Sequence, residues 1–61
     1  MRQPIYKLRP GDRIRVNEKA PGDLRGRYGT VIRRNGGSEH EVQFDGDTDT
    51  NFLDSDWLDQ V

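Results

Sequence analysis

The sequence predicts an all-β fold, a five-stranded antiparallel barrel with one short 3₁₀ turn before its last strand. Three observations carry that expectation. Apolar and polar residues alternate in "DRIRVNE" and "SEHEVQFD", the period of a strand with one buried face. Turn-forming residues punctuate the chain at "NGG" (35 to 37) and at Asp45-Gly46, a hairpin signal in each case. No stretch holds apolar residues at convincing helical spacing, and the chain has no internal repeat or low-complexity tract.

In chain order, residues 1–9 read as an N-terminal extension and 10–61 as a single domain. Pro10 fixes φ and Gly11 frees the backbone for a turn. A strand over 12–18 follows, with Ile14 and Val16 on one face and Arg13 and Arg15 on the other. "KAPGDLRG" (19–26) lacks sustained alternation and reads as a long loop without an element of its own. The second strand covers 27–34, and "NGG" turns it into a third that sets Val42 and Phe44 against Glu41 and Gln43. A polar fourth strand over about 47–53 ends on Phe52 and Leu53. "DSDW" forms the 3₁₀ turn, and "WLDQV" returns to the sheet.

A barrel is the arrangement that buries Ile14, Val16, Val31, Val42, Phe44 and Leu58 together while protecting strand edges. Of the neighbours Trp57 and Leu58 only one can face so small an interior. Leu58 is expected inside, because a buried indole N–H needs a partner. Trp57 is then partly exposed, beside Tyr28.

The chain has 61 residues and no cysteine. A domain of this size buries only about 60% of its unfolded surface, and no disulfide reinforces it. With a single histidine and no long apolar run, a zinc module, a secretory signal and a membrane span are disfavoured. The expectation is a soluble cytoplasmic domain without metal or cofactor. Charged residues make up 34% of the chain and hydrophobic ones 30%. Charges of both signs with regular turn signals favour a folded unit over disorder.

Charge is split along the chain. All ten basic residues lie at or before residue 34, beside three acids, whereas 35–61 carry eight acids and no Lys or Arg. Such asymmetry marks partner binding or internal pairing between interleaved halves. As a binding surface, Arg13, Arg15, Lys19, Arg25 and Arg27 would grip phosphates or an acidic protein, since guanidinium forks hold oxyanions bidentately. Tyr28 and Trp57 would add π-faces for a base or peptide. Internal pairing weighs equally for Arg33 and Arg34, which the hairpin brings near Glu39 and Glu41, and less for Arg25 and Arg27 in the loop.

Catalysis finds little support, and the protein reads as no enzyme. His40 has no serine or cysteine partner in a recognisable elbow and is expected on a strand as a surface or rim residue. "DGDTDTNFLDSD" has the Asp-x-Asp spacing of a calcium loop. Its glycine comes too early and the closing Glu is missing, so a solvated polar edge strand is the better reading.

The order strand, long loop, strand, turn, strand, turn, strand, 3₁₀ turn, strand resembles an SH3-like barrel over residues 8–61. Within it, "GDRIRV" followed by "GDLRGRYGTV" resembles the KOW motif of ribosomal proteins and transcription elongation factors, with Gly22, Gly26, Gly29 and Val31 at the matching places. "YGTV", "VQFD" and "NFLDSDWLDQV" are similar to the SH3-like photosystem I subunit that assists ferredoxin docking. The closing segment also resembles signalling SH3 domains, whose acidic-aromatic peptide-groove motif is absent here. The first resemblance implies a binding module that contacts RNA or a ribonucleoprotein or transcription assembly. The second implies a protein-docking module for an acidic electron-transfer partner. Neither implies a small-molecule substrate, and either fits a monomer or part of a larger complex.

Overall fold

The computed structural model describes residues 8–61, so Tyr6 and most of the expected N-terminal extension lie outside it. The described residues form five strands: β1 (Arg13–Val16), β2 (Tyr28–Arg34), β3 (Glu39–Phe44), β4 (Thr50–Asp54) and β5 (Leu58–Gln60). All neighbours are antiparallel, in the order β4-β3-β2-β1-β5. Among the described residues no ladder joins β4 to β5, so the sheet is not closed by hydrogen bonds. The expected 3₁₀ turn lies at Ser55–Trp57. Asp54 caps it by accepting a hydrogen bond from the Asp56 N–H at 2.9 Å.

Strand limits follow from competing hydrogen bonds. The first strand stops at Val16 because Asn17 turns the chain: its Oδ1 accepts from the Lys19 N–H at 2.9 Å, a local bond that asparagine offers at strand ends. The loop after it holds one element that the sequence did not announce, a 3₁₀ turn at Gly22–Leu24. Leu24 is drawn against the core there, which gives a short apolar anchor to a segment with no alternation. The fourth strand starts at Thr50 rather than near 47. Asp47 is held in the turn instead, its N–H donating to the Phe44 carbonyl at 3.1 Å and its own carbonyl accepting from Gln43 Nε2 at 2.9 Å.

The "NGG" turn closes as expected, with the Asn35 N–H on the Glu39 carbonyl at 2.8 Å. Gly36 and Gly37 both hold positive φ, where a Cβ is strained. Gly29 is required for a different reason: a Cβ there would lie 2.6 Å from the Gln43 carbonyl oxygen, so β2 and β3 approach more closely than a side chain permits. Past Val31 the β2–β3 register shifts, leaving Ile32 as the extra, exposed residue of a bulge.

The core consists of Ile14, Val16, Ala20, Val31, Val42, Phe44, Leu53 and Leu58, including all six residues the alternation selects. Leu8, from the expected extension, packs against it with Leu24 and Trp57. Leu58 is buried and Trp57 half-buried, the division anticipated for that pair.

His40 corrects the sequence reading. It is not a surface or rim residue but is completely buried. Strand period is the cause: His40 shares the inward face of β3 with Val42 and Phe44. Ser55 is also buried. Among the described residues the exposed aromatics are Tyr28, at 47%, and Phe52, at 50%.

Candidate functional site

Two sets of basic side chains stand out among the described residues. In the first, each guanidinium already has a carboxylate from the acidic half of the chain. Arg13 grips Asp45 bidentately, at 2.8 Å and 2.7 Å, and also donates to Thr30 Oγ1 at 3.0 Å. These bonds hold the Asp45 carboxyl below its usual range and raise Arg13 in turn. Arg27 donates to Asp47 Oδ2 at 2.9 Å and lies 4.3 Å over the Phe44 ring, a cation–π contact on the edge of the core. Arg33 donates to Glu41 Oε1 at 2.7 Å. Thr50 Oγ1 donates to the other oxygen at 2.6 Å; the Thr50 bond first, then Arg33, lower the Glu41 carboxyl.

The internal pairing expected at Arg33 is therefore found, with Glu41. It extends to Arg27, where the sequence favoured a free group. The reason is the turn after β3, which carries Asp47 back toward the start of β2.

In the second set, Arg15, Lys19 and Arg25 have no acidic partner among the described residues. All three belong to the outer face of β1 or the loop that follows. Arg25 is positioned by its Nε, which donates to the Ala20 carbonyl at 2.8 Å and leaves the Nη groups unengaged by the described residues. Arg15 is exposed on β1, in register with Tyr28 on one side and Asp59 on the other.

Arg15 and Arg25 line one cleft of about 340 Å³, together with Asn17, Glu18, Gly26 and Asp59. Its walls are anchored at several points. The Gly26 N–H donates to the Val16 carbonyl at 2.8 Å, and the Asn17 N–H donates to the Trp57 carbonyl at 2.8 Å. Asn17 Nδ2 completes the clamp, reaching the Asp56 carbonyl at 2.8 Å and Asp59 Oδ1 at 3.2 Å. Side chains of opposite charge line this cleft without forming an ion pair among the described residues.

Of the residues singled out from sequence, Arg15 and Arg25 meet in the cleft, Lys19 lies in the same loop, and Tyr28 stands across from Arg15. Arg13 and Arg27 are engaged by carboxylates. Tyr28 opens β2 and Trp57 ends the 3₁₀ turn before β5, and β1 runs between those two strands. Asn17, Glu18 and Asp59 were not foreseen. Nothing in the alternation marks them: the strand expected over 12–18 ran through Asn17 and Glu18, and Asp59 comes to the cleft through the pairing of β5 with β1. Among the described residues, no three His, Cys, Asp or Glu side chains are grouped to hold a metal ion, and no helix is long and apolar enough to cross a membrane. Comparison with protein-family models, with curated proteins and with solved structures finds no match to this chain.

Proposed function

We propose that this protein is a non-catalytic binding module, an SH3-like barrel with a KOW-like opening segment, that contacts RNA or a ribonucleoprotein through the loop after β1. One observation carries the reading: Arg15, Lys19 and Arg25, on β1 and the loop after it, have no acidic partner among the described residues, whereas Arg13, Arg27 and Arg33 are paired. Unpaired guanidinium forks bind phosphate oxygens bidentately, and the exposed Tyr28 ring beside Arg15 offers a stacking face for a base. The strand order β4-β3-β2-β1-β5 and the close approach at Gly29 support the SH3-like and KOW-like assignments.

Three phosphate contacts on a single strand imply a slope of about -2 in log K against log salt. Fluorescence anisotropy with a labelled uridine decamer over a salt series tests this. Replacing Arg15 and Arg25 together by Ala is expected to weaken binding and to flatten the slope by about 1.4. Equal affinity and slope in both proteins would overturn the RNA surface.

A second reading rests on the net charge of -1 and on the eight acids beyond residue 34, which repel a long polyanion outside the cleft. The same arginines would then dock carboxylates of an acidic protein, such as an electron-transfer partner. Capture of a partner that survives nuclease treatment, and is lost with the double variant, would favour it.

A further inference from the structure

The cleft holds acceptors as well as donors, and that combination narrows the ligand. Glu18 lines it with a carboxylate that has no partner among the described residues. Asp59 lies alongside, in contact with Asn17 Nδ2 at 3.2 Å. Arg15 is in register with Asp59, yet neither Arg15 nor Arg25 closes on either acid. A simple oxyanion, or the acidic face of a protein, would satisfy the guanidiniums and meet Glu18 and Asp59 with like charge. A simple cation would do the reverse. The ligand that answers both carries an anionic group and, a short distance away, N–H donors.

Nucleotides have that composition, and the bases differ in how many donors they align. Guanine presents N1–H and N2–H side by side on its Watson–Crick edge, the match for the two oxygens of one carboxylate. Adenine, cytosine and uracil each present a single donor next to an acceptor. Single-stranded RNA exposes these edges, and the cleft volume of about 340 Å³ falls in the range of small-ligand pockets, roughly 300–1,000 Å³.

We propose, building on the RNA-binding reading above, that this cleft is a guanine nucleotide subsite. Glu18 accepts from N1–H and N2–H of the base, and Arg15 and Arg25 hold its phosphate. The phosphate contacts supply affinity and the Glu18 contact supplies base choice.

The experiment uses three labelled RNA heptamers at one fixed salt concentration: all uridine, uridine with a central guanosine, and uridine with a central inosine, which lacks the N2 amino group. The guanosine probe is expected to bind roughly 5- to 150-fold more tightly than all-uridine, the span of a good bidentate base contact, with inosine between them. Glu18→Gln, at an exposed position, should erase the preference while leaving all-uridine affinity no weaker. Guanosine 5′-monophosphate, and not uridine 5′-monophosphate, should displace the guanosine probe if the nucleotide is recognised outside a strand. Displacement absent, with the heptamer preference intact, assigns the subsite to guanosine within a strand. Equal binding of the three heptamers, or a preference that survives Glu18→Gln, overturns the guanine subsite alone. Failure of every heptamer to bind overturns the RNA reading beneath it.

Discussion

The imidazole of His40 is fully buried, and neither ring nitrogen has a hydrogen-bond partner among the described residues; Ser55 Oγ shares that condition. A buried polar group without a partner costs about 1–3 kcal/mol. An apolar residue of similar volume removes that cost and still fills the inward face of β3 that His40 shares with Val42 and Phe44. His40→Leu is therefore expected to raise stability by about 1 kcal/mol, read as a higher urea midpoint with an unchanged slope. A lower midpoint would show that the ring is satisfied in solution. The inward direction of His40 was legible from the alternation that places Val42 and Phe44 inside. Imidazole polarity argued against burial there, and geometry won because the hairpin register leaves β3 no other face to turn inward. Ala20 was not legible, since its burial depends on how the loop folds back over the core.

Strands β2, β3 and β4 are laced on their outer face by Glu41, which accepts from Arg33 on one side and Thr50 on the other. Asp45 joins the turn after β3 to β1 through Arg13. Hydrogen bonds hold both carboxyls below their ordinary values of 4.5 and 3.8. The unfolded chain therefore takes up these protons first. The stability the two groups contribute is complete above those ordinary values and is lost as pH falls through the lower native ones. Thermal unfolding followed from pH 7 to pH 3 should show a falling Tm below about pH 4.5, and Arg13→Gln should reduce the size of that fall. An equal fall in both proteins would remove Asp45 from this account. At this scale the five strands, the "NGG" hairpin and the last 3₁₀ turn were legible from alternation and turn residues. The late start of β4 and the turn at Gly22–Leu24 were not, because a side-chain bond from Gln43 and the packing of one leucine decide them.

Folding interleaves the two charged halves of the chain: Arg13, Arg27 and Arg33 all pair with acids beyond residue 40. The division of the sequence into basic and acidic halves thus overstated the basic surface, and which arginines remained could be known only once register was fixed. Tyr28 and Arg15 were legible as exposed; Glu18 and Asp59 as their companions were not, since strand pairing and loop return bring them there. The missing ladder between β4 and β5 has a consequence of another kind. The backbone hydrogen bonds form one linear series rather than a ring, so either outer strand can detach while the remaining ladders stay whole. Opening then proceeds as unzipping from two ends toward β2, and amide hydrogen exchange should be slowest in β2 and in the strands bonded to it. Ladder amides of β4 and β5 should exchange sooner; uniform protection across all five strands would instead mark a molecule that opens only as a whole.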